Sequence, residues 1–161
     1  MAILPIMHPR FANLIESLHP LLERIKAMSP VTTETLPHGM PKSGIYLFSD
    51  GAKHLYVGRS NRLRSRIRRH GAVTAKHNVA SFAFLIARKK TGHTKATYRT
   101  EGSRAALEQD PRFARAFSDA KARIRSMSVR FVEEDNQLRQ ALLEMYVHVV
   151  LRTPFNDFDT H

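Results

Sequence analysis

Residues 44–58, GIYLFSDGAKHLYVG, decide the fold. Two β-rich runs, GIYLF and HLYVG, flank Asp50-Gly51, a dipeptide suited to a tight turn, and the stretch predicts a β-hairpin. Ile45 and Leu47 alternate with Tyr46 and Phe48 in the first run; Leu55 and Val57 alternate with His54 and Tyr56 in the second. Placing the four aliphatic residues on one face requires a loop of odd length, such as Asp50-Gly51-Ala52 with a bulge, because a slip of one residue exchanges the faces of a strand. In that register Tyr46 and Tyr56 stand directly opposite each other on the other face.

Immediately downstream, residues 59–70 read RSNRLRSRIRRH, with six arginines and no acid. A helix is expected over 60–70, with Ser60 or Asn61 as its N-cap. On a helical wheel Leu63, Ile67 and His70 form the inward stripe, and Arg66 lies at its edge one turn before His70. Arg62 and Arg69 lie farther round, and Arg64 and Arg68 point the other way. Such arginine density without acids suits a polyanion, and Arg59, Arg62 and Arg69 are the expected phosphate contacts. The plain alternative for the arginines is a solvated face, and for His70 a hydrogen-bonded core histidine.

Upstream, residues 9–28 carry apolar side chains at helical spacing, with Pro20 placed to kink or split the helix. Residues 29–42 hold three prolines and one glycine and read as a connector. The segment 1–42 is thus an N-terminal helical extension with a linker, expected to pack without taking part in chemistry, and 43–161 is the main domain. Downstream, 78–90 reads as helix with Gly92 near its stop, and 93–102 as polar loop. Asp110-Pro111 caps a further helix, 128–133 reads as a third strand, and a last helix runs from Asn136 to Arg152, before Pro154. The order α, β-β, α, α, α, β, α predicts an α+β fold, a small sheet covered by helices.

At 161 residues the chain suits one domain with its own core. It contains no cysteine, which excludes disulfides, thiol nucleophiles and Cys-based metal sites and fits a reducing compartment. No apolar run approaches a membrane span, and residues 1–10 lack the pattern of a secretory leader. The expected location is cytoplasmic, with no membrane partner. Lys and Arg number 26 against 14 Asp and Glu, a net charge of +12, which attracts polyanions.

In the last helix Gln137, Gln140, Glu144 and His148 fall on one stripe of about 80°. The stripe reads either as a narrow solvated face or as a carboxylate directed at a site where a cation offsets its desolvation.

Taken together, Gly44-Ile45-Tyr46, Tyr56-Val57-Gly58, and Arg66 with His70 in the spacing Y-V-G-x-S-x-x-L-x-x-R-I-x-x-H resemble the GIY-YIG nuclease family. Glu144 and Asn156 in LEMYVHVVLRTPFN resemble the family's closing motif. The resemblance covers 43–70 and 131–156. The stretch from about 75 to 126 looks like a helical insertion, since many relatives are shorter there. The resemblance implies a three-stranded antiparallel sheet flanked by helices, and DNA phosphodiester hydrolysis with one divalent cation, Mg2+ or Mn2+. It assigns Tyr46 as general base towards water, with His70 to accept or relay the proton and Tyr56 to hydrogen-bond phosphate or water. Arg66 would clamp the phosphoryl oxygens and, with the metal, lower the Tyr46 pKa. Glu144 would bind the metal, Asn156 would position substrate or brace the site, and His148 would stand behind them. Glu133 and Glu134 are rival carboxylates without the helical context. Two other readings stay open: a non-catalytic nucleic-acid binder of the same fold, and an RNA-directed basic protein, for which exposed aromatics are few.

Overall fold

The computed structural model describes residues 6–93 and 103–158. In chain order the elements are α1 (Pro9–Glu16), α2 (His19–Ala27), β1 (Gly44–Asp50), β2 (Lys53–Ser60), α3 (Leu63–Gly71), α4 (Ser81–Thr91), α5 (Arg104–Gln109), α6 (Pro111–Ser126), β3 (Ser128–Glu133) and α7 (Gln137–Leu151). The fold is α+β: three antiparallel strands in the order β2-β1-β3, flanked by helices.

Central strand β1 is buried on both faces, so both halves of its alternation are apolar. Ile45 and Leu47 join Val57 and Val132 in a core closed by Leu18, Leu22 and Ile25 of the N-terminal segment and by Leu143 and Val147 of α7. Tyr46 and Phe48 face a second core built with Leu63 and Ile67 of α3, Phe82 and Phe84 of α4, and Phe113 and Ile124 of α6. From α2 onward the N-terminal segment is therefore a wall of the same body. Pro20 splits its helix into α1 and α2, entering α2 in the first turn, where its missing N–H costs nothing. Val31 of the connector forms a bridge with Val129, on the outer side of β3.

The hairpin differs from the expected register. Tyr46 pairs with Gly58, and Tyr56 pairs with Phe48. The turn holds Gly51, at φ 59°, and Ala52, so Asp50 pairs with Lys53. The extra residue enters later, where pairing shifts between Phe48 and Ser49 and Leu55 becomes the bulge. Leu55 accordingly packs with Tyr46 and Phe48, not with Ile45 and Leu47. Tyr46 and Tyr56 share a face as expected, but one step apart along the strands.

Two glycines are required by contacts rather than by turns. Gly44 lies at φ 149°, and a Cβ there would collide with the Val132 carbonyl oxygen across the β1–β3 ladder. At Gly58 a Cβ would collide with the Tyr46 phenol, which lies across the β2 backbone.

Helix α3 begins later than expected. Strand β2 runs to Ser60, opposite Gly44, and Asn61 bonds Gln137 and Gln140, so Arg62 becomes the N-cap without a side-chain bond. Several other helix ends match the sequence signals closely, although α4 begins three residues after its expected start. Asp110 caps α6 through the Arg112 N–H, Asn136 caps α7 through the Arg139 N–H, and α4 stops at left-handed Gly92. Short α5, capped by Ser103, is an element the sequence reading did not separate. From residue 94 the expected 93–102 loop lies outside the described residues.

Candidate functional site

Tyr46, Tyr56, Arg66, His70 and Glu144 come from β1, β2, α3 and α7 and converge beside Gly58. The Tyr46 hydroxyl and His70 Nε2 are 2.7 Å apart, and both residues are buried. The Tyr46 and Tyr56 ring centroids are 6.4 Å apart, and Tyr56 stacks on Phe82 at 4.7 Å with 9° between planes. Phe48 and Phe82 also contact the His70 ring. His70 therefore lies in an aromatic box with one polar partner. Its Nδ1 is buried without a hydrogen-bond partner among the described residues, and this holds for either tautomer of the Tyr46–His70 bond.

This environment fixes the protonation states. Burial, and next the charge of Arg66, hold His70 well below its ordinary 6.5. Burial, and next Tyr56, push the Tyr46 phenol well above its ordinary 10.0, and Arg66 pulls it down without prevailing. Arg66 thus acts on Tyr46 in the expected direction, but by itself it does not offset the desolvation. At neutral pH the pair is uncharged: a phenol bonded to a neutral imidazole.

A stability signature follows. As pH falls below 6.5 the unfolded chain protonates this histidine while the folded protein does not, so unfolding takes up a proton. The His70 contribution is complete above that pH and is lost as pH falls from there towards the depressed folded value, by up to about 1.4 kcal/mol per pH unit. In melting curves from pH 8 to 5, the difference between wild type and His70→Gln is expected to shrink on acidification. A pH-independent difference would show that His70 is not held neutral.

Arg66 donates to the Val79 carbonyl (3.0 Å) and the Ser81 hydroxyl (3.1 Å), anchoring α3 to the start of α4. Holding the Val79 carbonyl in this turn also accounts for α4 starting at Ser81, later than expected. Burial lowers the Arg66 pKa, but the Tyr46 and Tyr56 phenols outweigh it and the net shift is upward, so Arg66 remains a cation.

Glu144 pairs with Arg59 at 3.2 Å, its side chain 20% exposed. Burial raises its pKa despite the opposing pull of Arg59 and Arg66. Of the expected phosphate contacts, Arg59 is thus engaged by the carboxylate. Arg62 and Arg69 line a groove of about 660 Å³ together with Lys42, Arg64 and Arg68, and among the described residues no acid lines it. Arg64 also donates to the carbonyls of Leu36 and Pro37, an engagement that leaves its charge uncompensated.

Asn156 braces rather than faces the site. Its Oδ1 accepts from the Val57 N–H (2.9 Å) and its Nδ2 donates to the Val57 carbonyl (2.7 Å). Strand β2 is an edge of the sheet, and this side chain satisfies the outward backbone groups beside Tyr56 and Gly58 as a strand would. Thr153 donates to the same Oδ1, and the His148 Nδ1–H donates to Thr153. The rival Glu134 is held by Arg139 at 2.7 Å, and Glu133 ends β3 exposed. The aromatic wall from Phe82, the anchor at Ser81 and the Arg59–Glu144 pair carried no signal in the sequence, since each depends on which helix packs against which strand.

Among the described residues no group of three His, Asp or Glu side chains gathers to hold a metal ion. Glu144 alone is the kind of ligand that suits a hard, largely hydrated divalent cation whose other ligands are water and substrate phosphate. It does not suit a closed protein cage.

Compared with protein-family models, curated proteins and solved structures, the chain matches none. Among the described residues no helix is long and apolar enough to cross a membrane.

Proposed function

We propose that this chain is a DNA endonuclease of the GIY-YIG type, hydrolysing phosphodiester bonds with one divalent cation, Mg2+ or Mn2+, in a reducing, cytoplasmic compartment. The observation that carries the reading is the convergence of Tyr46, His70, Tyr56, Arg66 and Glu144 at one locus, on a chain of charge +12. A phosphodiester cleaver needs a proton acceptor for water, cations for the phosphoryl oxygens and help for the leaving oxygen.

The Tyr46 hydroxyl takes the proton of the attacking water as it passes its own to His70 Nε2. The neutral state of His70 leaves that nitrogen able to accept. Tyr56, at the partly exposed edge, hydrogen-bonds the phosphate or the water. Arg66 clamps non-bridging oxygens, and Asn156 holds β2 so that both phenols keep their places. Glu144 would hold the cation, which when bound polarises the phosphate and stabilises the leaving 3′ oxygen. Arg59 is released from Glu144 towards the phosphate backbone, where Arg62 and Arg69 extend the contact.

A second reading is a nucleic-acid binder of the same fold without catalysis. The burial of Tyr46 and the Arg59–Glu144 pair favour it, since the first shields the proposed base and the second occupies the proposed metal ligand. The deciding assay incubates the protein with plasmid, branched and single-stranded DNA, with and without Mg2+ or Mn2+. Metal-dependent nicking is expected; binding without nicking under all conditions would select the second reading. Under either, log affinity for duplex falls linearly with log salt, by roughly 0.9 per phosphate contact. Arg62→Gln with Arg69→Gln is expected to reduce that slope without changing the melting temperature. An unchanged slope would remove α3 from the nucleic-acid path.

A further inference from the structure

Arg59 and Arg66 both pull the pKa of Glu144 down, and burial raises it against them. The carboxylate is thus desolvated beyond what these two cations offset, and it gains from a stronger positive charge. The fold holds the two cations differently. Arg66 is fixed, because its guanidinium donates to the Val79 carbonyl and the Ser81 hydroxyl at the start of α4. The Arg59 side chain is 43% exposed and meets Glu144 at 3.2 Å, longer than the roughly 2.7–2.9 Å of a tight charge-assisted bond. The neighbouring pair on α7 is built otherwise. Glu134, 11% exposed, holds Arg139 at 2.7 Å, and Arg139 also donates to Ser17.

The backbone around Arg59 is held from three directions. Arg59 pairs with Ile45 in the sheet, Asn156 bonds both backbone groups of Val57, and Asn61 bonds Gln137 and Gln140 of α7. A long, partly exposed side chain on a fixed strand turns between two oxyanions at the cost of its own rotamers alone. We propose that the Arg59–Glu144 pair is a mutual latch. Glu144 stands in for phosphate and keeps Arg59 off nucleic acid; Arg59 stands in for the divalent cation and keeps Glu144 from loading one.

The latch deepens the nuclease reading, and its cation half rests on that reading. A phosphodiester offers Arg59 two non-bridging oxygens, which suit the guanidinium fork. When Arg59 crosses to phosphate, Glu144 is left with Arg66, which cannot follow, and its affinity for a divalent cation rises. With a cation on Glu144, Arg59 is in turn free for phosphate. Nucleic acid and cation therefore bind cooperatively, and by linkage each raises the affinity of the other by the same factor. The hydrolytic site is assembled on nucleic acid and not in the free protein. Phosphate bridging to the cation would also make the two cooperative, so the mark of the latch is dependence on Arg59. An ordinary structural ion pair between β2 and α7 is the alternative, and it would register in melting rather than in binding.

Two binding measurements on the full chain test this. In the first, Mn2+ binding without nucleic acid is read from loss of the free-ion electron paramagnetic resonance signal. Arg59→Gln is expected to raise Mn2+ affinity about fivefold, the scale of a partly exposed ion pair. Arg62→Gln makes the same charge change on a side chain that is not among the cations acting on Glu144, and its effect should stay below about twofold. Arg59→Lys keeps the charge and should stay near wild type. The second measurement needs no metal: affinity for a short labelled duplex at fixed salt. With Arg59 present, Glu144→Gln is expected to tighten binding about fivefold; in an Arg59→Gln background it should do so by less than about twofold, because no cation is left to release. Melting temperatures should be unchanged. Equal tightening in both backgrounds would mean that Glu144 simply repels phosphate, and equal effects of Arg59→Gln and Arg62→Gln on Mn2+ would mean general charge; either overturns the latch. Lowered melting temperatures with unchanged affinities would make the pair structural and overturn it too. A coupled duplex cycle with no Mn2+ bound by any form and no nicking would refute the nuclease reading and its cation site, and would leave the hold of Glu144 on Arg59 standing. Uncoupled effects in a protein that binds Mn2+ and nicks DNA would refute the latch alone.

Discussion

Glu144→Gln is expected to abolish metal-dependent cleavage in a protein that stays folded. The change keeps the size and polarity of the side chain and its helix propensity, and removes the only carboxylate that the described residues bring to the convergence of Tyr46, Tyr56, Arg66 and His70. Magnesium-type cations depend on one or two carboxylates beyond water and phosphate, and the rival Glu134 is held by Arg139. Removing an electrostatic group of this kind costs roughly 10²–10³ in rate, and more where it anchors the metal. Stability should change by about 1 kcal/mol or less, because the Arg59–Glu144 pair is partly exposed. Metal-free DNA affinity is expected to hold or rise, since Arg59 is freed and a negative charge facing phosphate is gone. Nicking rate, metal-free affinity and thermal melting on one preparation separate these effects. Cleavage at the wild-type rate would remove Glu144 from the metal site, and with Glu133 and Glu134 also replaced it would end the single-carboxylate mechanism.

Gly58→Ala is expected to act just as strongly, on stability and activity together. A Cβ at this position collides with the Tyr46 phenol, a buried ring whose hydroxyl bonds His70 and whose sides meet Phe48 and Tyr56. Overpacking costs about 1–3 kcal/mol, and displacing the hydroxyl forfeits about 1 kcal/mol more. For a chain of this length that lowers the melting temperature by roughly 5–15 °C. Because the collision is with one side chain, the same substitution in a Tyr46→Ala background is expected to be nearly neutral, and the double-mutant cycle should return the full cost as a coupling of about 2–4 kcal/mol. A Gly58→Ala protein that melts and cuts like wild type would mean that Tyr46 has another place to go, and the rigid Tyr46–His70 geometry would be abandoned.

What could be read along the chain was whatever depends on near neighbours. Asp110-Pro111, Asn136 and Gly92 announced helix ends because capping is a local exchange of hydrogen bonds, and each does so in the structure. Pro20 announced the break between α1 and α2 for the same reason. Period-two alternation placed Tyr46 and Tyr56 on one face. It misplaced their pairing, because the bulge residue Leu55 packs with Tyr46 and Phe48 and its carbonyl accepts from the distant Phe155 N–H, neither of which the alternation shows. The α3 wheel correctly turned Leu63, Ile67 and His70 inward, since a 3.6-residue period needs no partner to be known. It could not show that the inward side is an aromatic box.

By itself, then, the sequence determined the elements other than α5, their order, the α+β class and the faces of β1 and α3. Each follows from backbone periodicity, capping and hydrophobic alternation over a few residues. Only the tertiary structure decided the charge states and the alliances of the candidate site. Burial raises Tyr46 against the pull of the neighbouring Arg66 and depresses His70 together with it, because desolvation depends on what surrounds a group in space. Arg59 meets Glu144, and Asn156 completes the edge of β2, across separations of 85 and 99 residues. Such pairings are settled when α7 packs against the sheet, and a reading confined to neighbouring residues contains no term for them.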